Sequence, residues 1–442
     1  MEKKQGLNRR RFLAGTTAAA TLTIIPRHVL GTPQQPSANN KLNIASVGVG
    51  GMGSGDVRRV PTENIVAICD VDANHAANAA KNFPDAKVYS DFRKMFDAQK
   101  DIDAVMVATP DHAHAMITMA ALKLGKHVFC QKPLTHSVHE ALEIAKAAKK
   151  AKVATQMGNQ GQAGEGARLT YEYIRAGAIG QVQEIHAWSN RRPDISQRGI
   201  ARPTDTPPVP SNLDWDLWLG PAPTRPYHPT YLPFRWRGWW DFGTGVLGDI
   251  GCHQLSATFK ALNLGWPDSV EACSTHFNAP PEVKNETAPA ASIVTFRFAA
   301  EGNRPEIVLR WYDGGMMPPL PEEVGTRNIF INDGTLIVGD AGLLFGHQLL
   351  PEAKARLFGK PPQLLERSPG HYQEWIDACK GGKPAGSDFV NHAGHLAAVI
   401  LMGNIAIRTQ EKLFWDAEKL QFKNSEAANQ LLHPPYREGW TL

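Results

Sequence analysis

The sequence predicts an α/β protein with two domains: an N-terminal doubly wound parallel sheet and a C-terminal α+β domain with a large, mostly antiparallel sheet. Three observations lead to this prediction. The chain has 442 residues, which is more than one hydrophobic core usually serves. Short β-branched runs alternate with alanine-rich helical patterns from Lys41 to about Gln160. Beyond Gly161 the pattern changes, and later strand-like runs predict the second sheet.

The first domain is predicted over residues 41–160. Five runs have the composition of strands, in the order LNIASVGVG, ENIVAICDVD, DAVMVATP, HVFCQKP and KVATQMG. Helical patterns such as HAANAAKNF and SVHEALEIAKAAKKA separate them. Repetition of strand, helix and strand is typical of the parallel Rossmann fold.

The second domain is predicted over residues 161–442. It begins with the helical pattern GARLTYEYIRAG and the strand VQEIHAWSN, and a loop rich in Pro, Trp and Arg follows from about Arg191 to Asp241. Four later runs predict further strands, namely SVEACSTHF, ASIVTFRF, EIVLRWY and GTLIVGD. The apolar pattern HAGHLAAVILMGNIAIRT predicts a closing helix.

Residues 1–31 have the pattern of a cleaved export signal, and residues 32–40 have the composition of a linker. Basic residues precede an apolar run from Phe12 to Ile25, which is shorter than the about 20 residues that a membrane-spanning helix needs. The motif NRRRFLAG resembles the twin-arginine signal, with Arg9 and Arg10 as the pair. An ordinary secretory signal or a basic tail is the alternative. We expect a periplasmic protein with no membrane anchor after signal removal.

The chain is close to neutral once residues 1–31 are set aside. That segment holds six of the 47 basic residues and one of the 43 acidic residues, which leaves 41 against 42. Such a balance gives no indication of nucleic acid or an anionic membrane as a partner. The five cysteines form neither CxxC pairs nor the spacing of a zinc site, so no metal is expected. Three of them lie in core-like runs, where buried free thiols are expected.

A glycine-rich turn after the first strand predicts a dinucleotide site. Asp70 ends the next strand, about 20 residues further on, as the dinucleotide fingerprint requires. Its carboxylate is suited to accept hydrogen bonds from a ribose and would repel a 2′-phosphate, so NAD is expected rather than NADP. Asp72 is the alternative ribose ligand. The residues predicted to surround the pyrophosphate belong to the GxGxxG turn: Gly48, Gly50, Gly51, Met52 and Gly53.

Two later strand ends carry further candidates for cofactor contacts. Thr109 and Pro110 end the run VATP, and His112 follows, where it would border the nicotinamide or begin a surface helix. Gln131 and Lys132 follow the next strand, in the motif QKP. Ligands of parallel sheets collect at such strand ends. In this order of motifs the sequence resembles the Gfo/Idh/MocA oxidoreductases across essentially the whole mature chain.

The motif QKP both matches and departs from that family. The family usually reads Glu-Lys-Pro, so Lys132 agrees with its pattern and Gln131 departs from it. Gln keeps the capacity for hydrogen bonds but loses the charge. The electrostatics near Lys132 are therefore left open by the sequence.

The segment GTGVLGDIGCHQL supplies the candidate catalytic residues of the second domain. Asp249 and His253 are four residues apart, a spacing that puts both side chains on one face of a helix. We expect the carboxylate to lie beside the imidazole and to raise its basicity. The resemblance implies that this Asp-x-x-x-His segment supplies the base that removes a hydroxyl proton, while Lys132 stabilises the oxygen. A helix cap and a core histidine are the structural alternative.

The loop WDLWLGPAPTRPYHPTYLPFRWRGWWDFGTG is suited to bind carbohydrate. Aromatic faces stack on sugar C–H groups, and arginines donate to hydroxyls or carboxylates. A structural loop or a contact in a homo-oligomer explains the composition equally well. The residues proposed to line a substrate site are Arg235, Arg237, Trp239 and Trp240.

Three functions are compatible with these patterns. The first is an NAD-dependent dehydrogenase that removes hydride from a secondary hydroxyl of a sugar, glycoside or cyclitol. The second is an NAD-dependent glycosidase, as in secreted relatives that oxidise a sugar transiently, eliminate the aglycone and reduce the product again. The third is a non-catalytic sugar-binding protein, which would require loss of key residues.

Overall fold

The computed structural model describes residues 40–325 and 333–442. Two sheets, each with helices packed against it, confirm the predicted fold class. The predicted export signal, residues 1–31, and nearly all of the predicted linker lie outside the described residues.

The first sheet consists of six strands: β1 (Asn43–Val47), β2 (Asn64–Cys69), β3 (Lys87–Tyr89), β4 (Ala104–Val107), β5 (His127–Cys130) and β6 (Thr155–Met157). All pairings are parallel, and the order β3-β2-β1-β4-β5-β6 is that of the Rossmann fold. The sequence predicts five of these strands. The strand that the sequence does not predict is β3, which is three residues long and largely exposed, so its sequence shows no strand pattern.

Five helices connect these strands: α1 (Gly51–Asp56), α2 (Ala73–Ala80), α3 (Phe92–Ala98), α4 (Asp111–Lys123) and α5 (Val138–Ala151). Three of them begin after a side chain that accepts a hydrogen bond from the first turn, namely Asp72, Asp91 and Ser137. Ser137 and Glu140 bond reciprocally as a capping box. These caps satisfy backbone N–H groups that a first helical turn leaves unpaired.

The second sheet consists of nine strands: β7 (Val182–Ser189), β8 (Ser269–Ser274), β9 (Ser292–Phe298), β10 (Ile307–Asp313), β11 (Asp333–Gly339), β12 (Gly342–Phe345), β13 (Gln348–Leu350), β14 (Leu413–Asp416) and β15 (Gln421–Phe422). Their order is β13-β12-β11-β7-β10-β9-β8-β14-β15. Only β7 and β10 pair in parallel among these described strands. The prediction of a mostly antiparallel sheet is confirmed.

The second half contains nine helices within the described ranges: α6 (Glu165–Arg175), α7 (Pro193–Ser196), α8 (Trp215–Leu219), α9 (Gly245–Leu262), α10 (Pro281–Lys284), α11 (Glu352–Phe358), α12 (His371–Cys379), α13 (Gly394–Thr409) and α14 (Glu426–Leu432). Helix α9 packs against α6 and α13 and against the second sheet. The helical stretch Phe389–Thr409, which includes α13, is long and apolar enough to cross a membrane. However, 83% of its most apolar window is buried inside the protein, as in a core helix.

Helix α12 belongs to the second half but packs on the first sheet. Tyr372 stacks on Phe129 of β5 with 5.2 Å between the ring centroids. Trp375 and Ile376 pack in the same cluster, against Ile44 of β1. The C-terminal part of the chain therefore covers one face of the Rossmann sheet, an arrangement that a boundary at residue 160 does not anticipate.

The cysteines are free thiols. Cys69, Cys130 and Cys252 are buried, in agreement with the expectation from their core-like runs, whereas Cys273 is exposed and Cys379 is partly buried.

Candidate active site

A cleft of about 820 Å³ lies along the carboxyl ends of the central strands of the first sheet. One wall contains predicted cofactor residues from four strand ends: Gly48, Gly50, Gly51, Met52, Asp70, Thr109, Pro110, Gln131 and Lys132. The other wall comes from the second domain, between residues 210 and 237, and from Trp440 near the C-terminus. The fold therefore gathers nearly all residues that the sequence proposes for the cofactor.

Close approaches to the backbone require glycine at two positions of the GxGxxG turn, Gly48 and Gly53. Gly48 has a φ of +79°, and a Cβ there would lie 2.7 Å from the carbonyl carbon of Ala108. At Gly53 a Cβ would lie 1.9 Å from the carbonyl oxygen of Gly48. At Gly50 the nearest atom would be Nδ1 of His75, at 2.6 Å. The tight turn between β1 and α1 therefore excludes a side chain at Gly48 and Gly53, whereas at Gly50 only the His75 side chain would have to move.

Asp70 lies on the cleft wall at the end of β2, with 9% of its side chain exposed. Its carboxylate accepts hydrogen bonds from the backbone N–H groups of Val49, at 2.8 Å, and Asp72, at 2.9 Å. Asp72, the alternative ribose ligand, instead caps α2 by accepting from the N–H of Asn74 and also accepts from Asn212. These hydrogen bonds to Asp70 stabilise the glycine turn, and they hold the Asp70 carboxylate on the wall of the cleft.

Gln131 joins a buried hydrogen-bond network beside the cleft. Its Nε2 donates to Asp56 Oδ2 at 2.6 Å, and the Tyr372 hydroxyl donates to Asp56 Oδ1 at 2.6 Å. Burial raises the pKa of the Asp56 carboxyl group, and these two hydrogen bonds oppose that effect. The residue before Lys132 is therefore fixed by contacts with both halves of the chain.

Lys132 and Asp249 come from different domains and meet at the inner end of the cleft. Lys132 Nζ donates to the Asp249 carboxylate and, at 2.9 Å, to the Asp249 backbone carbonyl. Arg237 Nε lies 3.4 Å from Asp249 Oδ1, and Arg191 Nη1 lies 3.6 Å from Oδ2. Burial opposes ionisation, but the charges of Lys132 and Arg237 outweigh it and hold the pKa of Asp249 well below its usual range. The carboxylate is therefore ionised and bound to cations.

His253 lies one helical turn after Asp249 on α9, as the spacing predicts. The carboxylate of Asp249 acts on the imidazole in the expected direction, but it does not decide the pKa. Burial and then the charge of Lys132 lower the pKa of His253 to about 3, and they outweigh the opposing effect of Asp249. Burial is the main physical reason, because it disfavours the charged imidazolium, and the Asp249 carboxylate that opposes it is bound to Lys132. His253 is neutral at neutral pH.

A smaller pocket of about 350 Å³ adjoins the cleft, and Phe234 and Arg237 line both. Asp249 lines this pocket, whereas Lys132 lines the cleft. The contact between Lys132 and Asp249 therefore marks the boundary of the two spaces. His253 lines neither of them.

Two models of one protein family match the chain. One is described as an oxidoreductase family, NAD-binding Rossmann fold, and matches residues 42–159. The other is described as the C-terminal alpha/beta domain of the same oxidoreductase family and matches residues 200–297 and 368–442. The chain belongs to the Gfo/Idh/MocA oxidoreductase family. Its first domain is the NAD-binding Rossmann domain of that family, which confirms NAD as the cofactor.

The Gfo/Idh/MocA chain is similar over part of its length to two dehydrogenases. An inositol 2-dehydrogenase of Salmonella paratyphi B is 31% identical over 151 residues, which cover 33% of this chain and 45% of the relative. A levoglucosan dehydrogenase of Pseudarthrobacter phenanthrenivorans is 30% identical over 210 residues, 46% of this chain and 45% of the relative. The matches therefore span about half of these relatives.

One solved structure shows the same fold over most of the chain. It is the WlbA dehydrogenase from Bordetella pertussis, in complex with NADH and UDP-GlcNAcA. The TM-score is 0.58 at 16% sequence identity, and the match covers 85% of this chain and 99% of that chain. At this identity the likeness concerns the architecture only.

Two observations indicate that the cleft fits a dinucleotide. Gly48 and Gly53 form a turn in which a Cβ has no room, so the backbone itself borders the cleft. Thr109 Oγ1 is buried on the cleft wall and has no hydrogen-bond partner in the described part of the chain. This hydroxyl is available to a ligand. Within the same residues no group of three or more His, Cys, Asp and Glu could hold a metal ion.

His112 lies outside the cleft, which corrects its proposed role as a cofactor contact. It is 2% exposed, with Nδ1 3.2 Å from the Phe242 carbonyl oxygen and Nε2 2.9 Å from that of Trp218. Its ring also packs against both aromatic side chains. The loop of the second domain covers the start of α4, so His112 is a packing residue between the domains.

Of the four proposed substrate residues, only Arg237 lines the cleft or the pocket. Trp239 is fully buried in an aromatic cluster. Trp240 is 5% exposed, and its Nε1 donates to the Lys284 carbonyl oxygen at 3.1 Å. Arg235 is exposed and lines neither space. Trp239 and Trp240 are therefore core residues and not substrate contacts, because the loop folds back on itself and buries them.

Three residues at the site were not proposed from the sequence. Arg191 begins the aromatic loop and reaches Asp249. Asp111, at the start of α4, accepts a hydrogen bond from the Thr244 hydroxyl at 2.7 Å. Trp440 reaches the cleft from the C-terminal segment. None of them lies in a motif, so only the tertiary arrangement identifies them.

Proposed function

We propose that this chain is an NAD-dependent dehydrogenase that acts on a secondary hydroxyl of a sugar, glycoside or cyclitol. The observation that carries the proposal is the contact between Lys132 and Asp249 where the cleft and the pocket adjoin. A nicotinamide in the cleft and a sugar in the pocket would meet at this contact. The names of the two partial relatives, inositol 2-dehydrogenase and levoglucosan dehydrogenase, support the substrate class.

The residues at the contact divide the chemistry between them. When bound, NAD supplies the hydride acceptor. The alcohol carbon that loses hydride must also lose its hydroxyl proton, and the proposed acceptor is His253, a neutral imidazole one helical turn after Asp249 that has to come within reach of the substrate from outside the two spaces. Lys132 donates to the same oxygen and stabilises its developing negative charge. Asp249, ionised and bonded to Lys132 Nζ, holds the ammonium group in position.

The cofactor residues follow from the wall of the cleft. The backbone of the glycine turn would hold the pyrophosphate, and Asp70 would accept hydrogen bonds from the adenosine ribose hydroxyls. Thr109, Pro110 and Gln131, which follow β4 and β5 on the same wall, would hold the nicotinamide half. The sugar rests against Phe234 and Arg237, which replace the tryptophans proposed from the sequence.

The test is reduction of NAD by purified protein with a panel of hexoses, alkyl glycosides and inositols. We expect at least one panel member to give a rise in the reduced-nicotinamide absorbance. Lys132→Met should reduce that rate by roughly 10²- to 10³-fold, as loss of an electrostatic donor to an oxyanion does. The matched control is Lys81→Met, at the exposed residue that follows helix α2. A normal rate in Lys132→Met would refute the mechanism.

A second candidate function, the NAD-dependent glycosidase, is favoured by the enclosure of the cofactor cleft. A segment of the second domain pairs with the end of β2, where Asp214 N–H donates to the Val71 carbonyl at 2.9 Å. The C-terminal segment is joined to the same region, since Arg437 N–H donates to the Pro221 carbonyl at 2.9 Å. Trp440 lines the cleft and packs against Arg93, with 4.6 Å from the guanidinium carbon to the ring centroid. A retained cofactor suits a reaction that regenerates it in place.

The two functions differ in what accumulates. A dehydrogenase releases oxidised sugar and one reduced cofactor per turnover, whereas the glycosidase releases aglycone with no net reduction. Aryl glycosides report both, through aglycone colour and nicotinamide absorbance. Aglycone release in many-fold excess over total cofactor supports the glycosidase. Stoichiometric reduction without aglycone release supports the dehydrogenase.

We also propose that the protein is exported to the periplasm by the twin-arginine route. The support is the sequence NRRRFLAG followed by the apolar run from Phe12 to Ile25. Arg9→Lys combined with Arg10→Lys should leave the folded enzyme in the cytoplasm. Cell fractionation with an activity assay measures this, with the single change Lys3→Arg as control. Unchanged periplasmic activity in the double variant would contradict the proposal.

A further inference from the structure

We propose that the substrate carries a carboxylate, as a hexuronic acid or its glycoside does, and that Arg191 binds this group. The inference rests on the proposed function, because it takes the pocket beside Asp249 to be the sugar site. The pocket is built mostly from polar side chains of α7 and the segment between β7 and α7, of the turn before α9, of α9 itself and of the start of β11. These are Asn190, Arg191, Arg192, Ser196, Arg237, Asp249 and Asp333.

Cations outnumber ionised carboxylates around the reacting point. Lys132, Arg191 and Arg237 all converge on Asp249, so one carboxylate faces three positive charges. Asp333, on the pocket wall, accepts a hydrogen bond from the Ser189 hydroxyl, and its negative charge offsets one of the remaining positive charges. One positive charge is left without a counterpart in this group of residues. An anionic substrate supplies the missing charge, whereas a neutral sugar does not.

Two other charged groups near the pocket do not alter this balance below neutral pH. Arg192 is paired with Asp194 through contacts of 2.7 and 3.1 Å, so its charge is already offset. Asp111 lies behind Asp249, and burial followed by the charge of Asp249 raises its pKa to about 7. Asp111 is therefore largely protonated at pH values below its pKa.

Arg191 is the cation with unused donors. Its side chain is 45% exposed, and its contact with Asp249 is 3.6 Å, longer than a hydrogen bond. Its guanidinium makes no hydrogen bond to the residues that the structure describes. Arg237, in contrast, donates to the Phe234 carbonyl oxygen at 3.2 Å and is stacked on Phe234 and Trp236. Arg237 is a fixed wall of the pocket, and Arg191 is free to bind.

The position of Arg191 is set by its backbone. The buried Arg198 donates from Nη2 to the Arg191 carbonyl oxygen at 2.7 Å, and Arg198 is itself paired with Asp313. The guanidinium plane presents two parallel N–H groups, which match the two oxygens of a carboxylate. Beside it, Asn190 Oδ1 is buried and has no partner among the described residues. It can accept a hydrogen bond from a sugar hydroxyl.

The experiment compares matched sugars in the NAD-loaded protein. Glucuronate and galacturonate differ from glucose and galactose at one carbon, where a carboxylate replaces a hydroxymethyl group. We expect kcat/KM for nicotinamide reduction to be at least about tenfold higher with a uronate than with its neutral partner. Equal rates with both classes would overturn the inference and leave the proposed function intact. No reduction with any sugar, despite NAD binding, would overturn both.

Variants test the role of Arg191 itself. Arg191→Gln should lower the ratio of uronate to hexose kcat/KM by roughly 10- to 100-fold, the effect of losing a hydrogen bond to a charged group. Arg191→Lys keeps the charge but loses the planar fork, so a smaller fall is expected. Arg356→Gln, on exposed helix α11, is the matched control and should leave the ratio unchanged. An unaltered ratio in a folded, NAD-binding Arg191→Gln protein would refute the assignment.

Hexose sulfates and hexose phosphates distinguish a carboxylate site from a general anion site. The planar fork matches the oxygens of a carboxylate and of a phosphate alike, so this comparison decides between them; a carboxylate is expected because one positive charge is left without a counterpart, whereas a phosphate monoester carries nearly two negative charges. A higher kcat/KM with a hexose sulfate or phosphate than with the uronate would overturn the choice of carboxylate.

Discussion

Asp111 is a buried carboxyl group that should make the stability of the protein depend on pH. It is 2% exposed at the start of α4, and it accepts a hydrogen bond from Thr244, which precedes α9. Burial is the main cause that raises its pKa, and the nearby charge of Asp249 adds to it. The hydrogen bond from Thr244 opposes the shift only in part. The pKa rises from 3.8 to about 7.

The sign of the effect follows from proton binding in the two states. As pH rises, Asp111 loses its proton first in the unfolded chain, so the folded state loses stability between the two pKa values. A difference of about three pH units corresponds to about 4 kcal/mol. At pH 5 only about 1.6 kcal/mol of this loss has developed, so about 2.5 kcal/mol is lost between pH 5 and pH 8. Above the folded pKa the contribution is constant.

The perturbation is Asp111→Asn, which keeps the shape and an acceptor for the Thr244 hydroxyl but cannot ionise. Urea unfolding followed by tryptophan fluorescence gives the free energy of unfolding at about pH 5 and about pH 8. The stabilisation of the variant over the wild type should be about 2.5 kcal/mol larger at the higher pH. Asp85→Asn, at an exposed position, is the control. The same difference at both pH values would refute the reasoning.

The remaining predictions concern the cofactor and the base. His253→Ala should lower turnover by roughly 10²- to 10⁴-fold, because a positioned base is lost; single-turnover reduction of bound NAD measures this, and a near-normal rate would remove His253 from the mechanism. Asp70→Asn should lower the ratio of NADP to NAD dissociation constants by about tenfold or more, because a negative charge near the ribose is lost. The two dissociation constants are measured for wild type and variant. Equal affinity of the wild type for NAD and NADP would contradict the role of Asp70. Trp440→Ala should speed NADH release by about 2- to 10-fold, because the indole borders the cleft. Stopped-flow fluorescence measures the release rate, with Phe277→Ala at an exposed position as the control. A Trp440→Ala release rate equal to that of the wild type would show that Trp440 does not retain the cofactor.

The Rossmann domain could be predicted in detail because its signals are local. The glycines of the turn are required by contacts within about 60 residues, and Asp70 follows directly from a strand end. Strands buried on both faces carry continuous apolar runs, which explains why β1, β2, β4 and β5 were recognised. The four strands nearest the two ends of the second sheet have only two to four residues, which is too short to show a strand pattern.

The aromatic loop could not be interpreted from composition, since composition gives no direction to a side chain. Phe234 and Trp236 border the cofactor cleft, while Trp239 and Trp240 are buried, although all four lie within seven residues. Which tryptophan faces a cleft depends on the fold of the loop. The same limit applies to Asp249 and His253: helical spacing correctly predicted one face, but the cation that pairs with Asp249 comes from a position 117 residues earlier.

The structure also answers the question raised by Gln131, where related proteins usually have glutamate. A glutamate there would face the Asp56 carboxylate at the distance of the present 2.6 Å hydrogen bond. Two carboxylates so close cannot both ionise, so one would have to keep a proton. Glutamine avoids this conflict because its amide nitrogen donates to Asp56, while Tyr372 donates to the other oxygen. Gln131 is thus held by a buried carboxylate without adding a second charge, and Lys132 keeps Asp249 as its direct ionic partner.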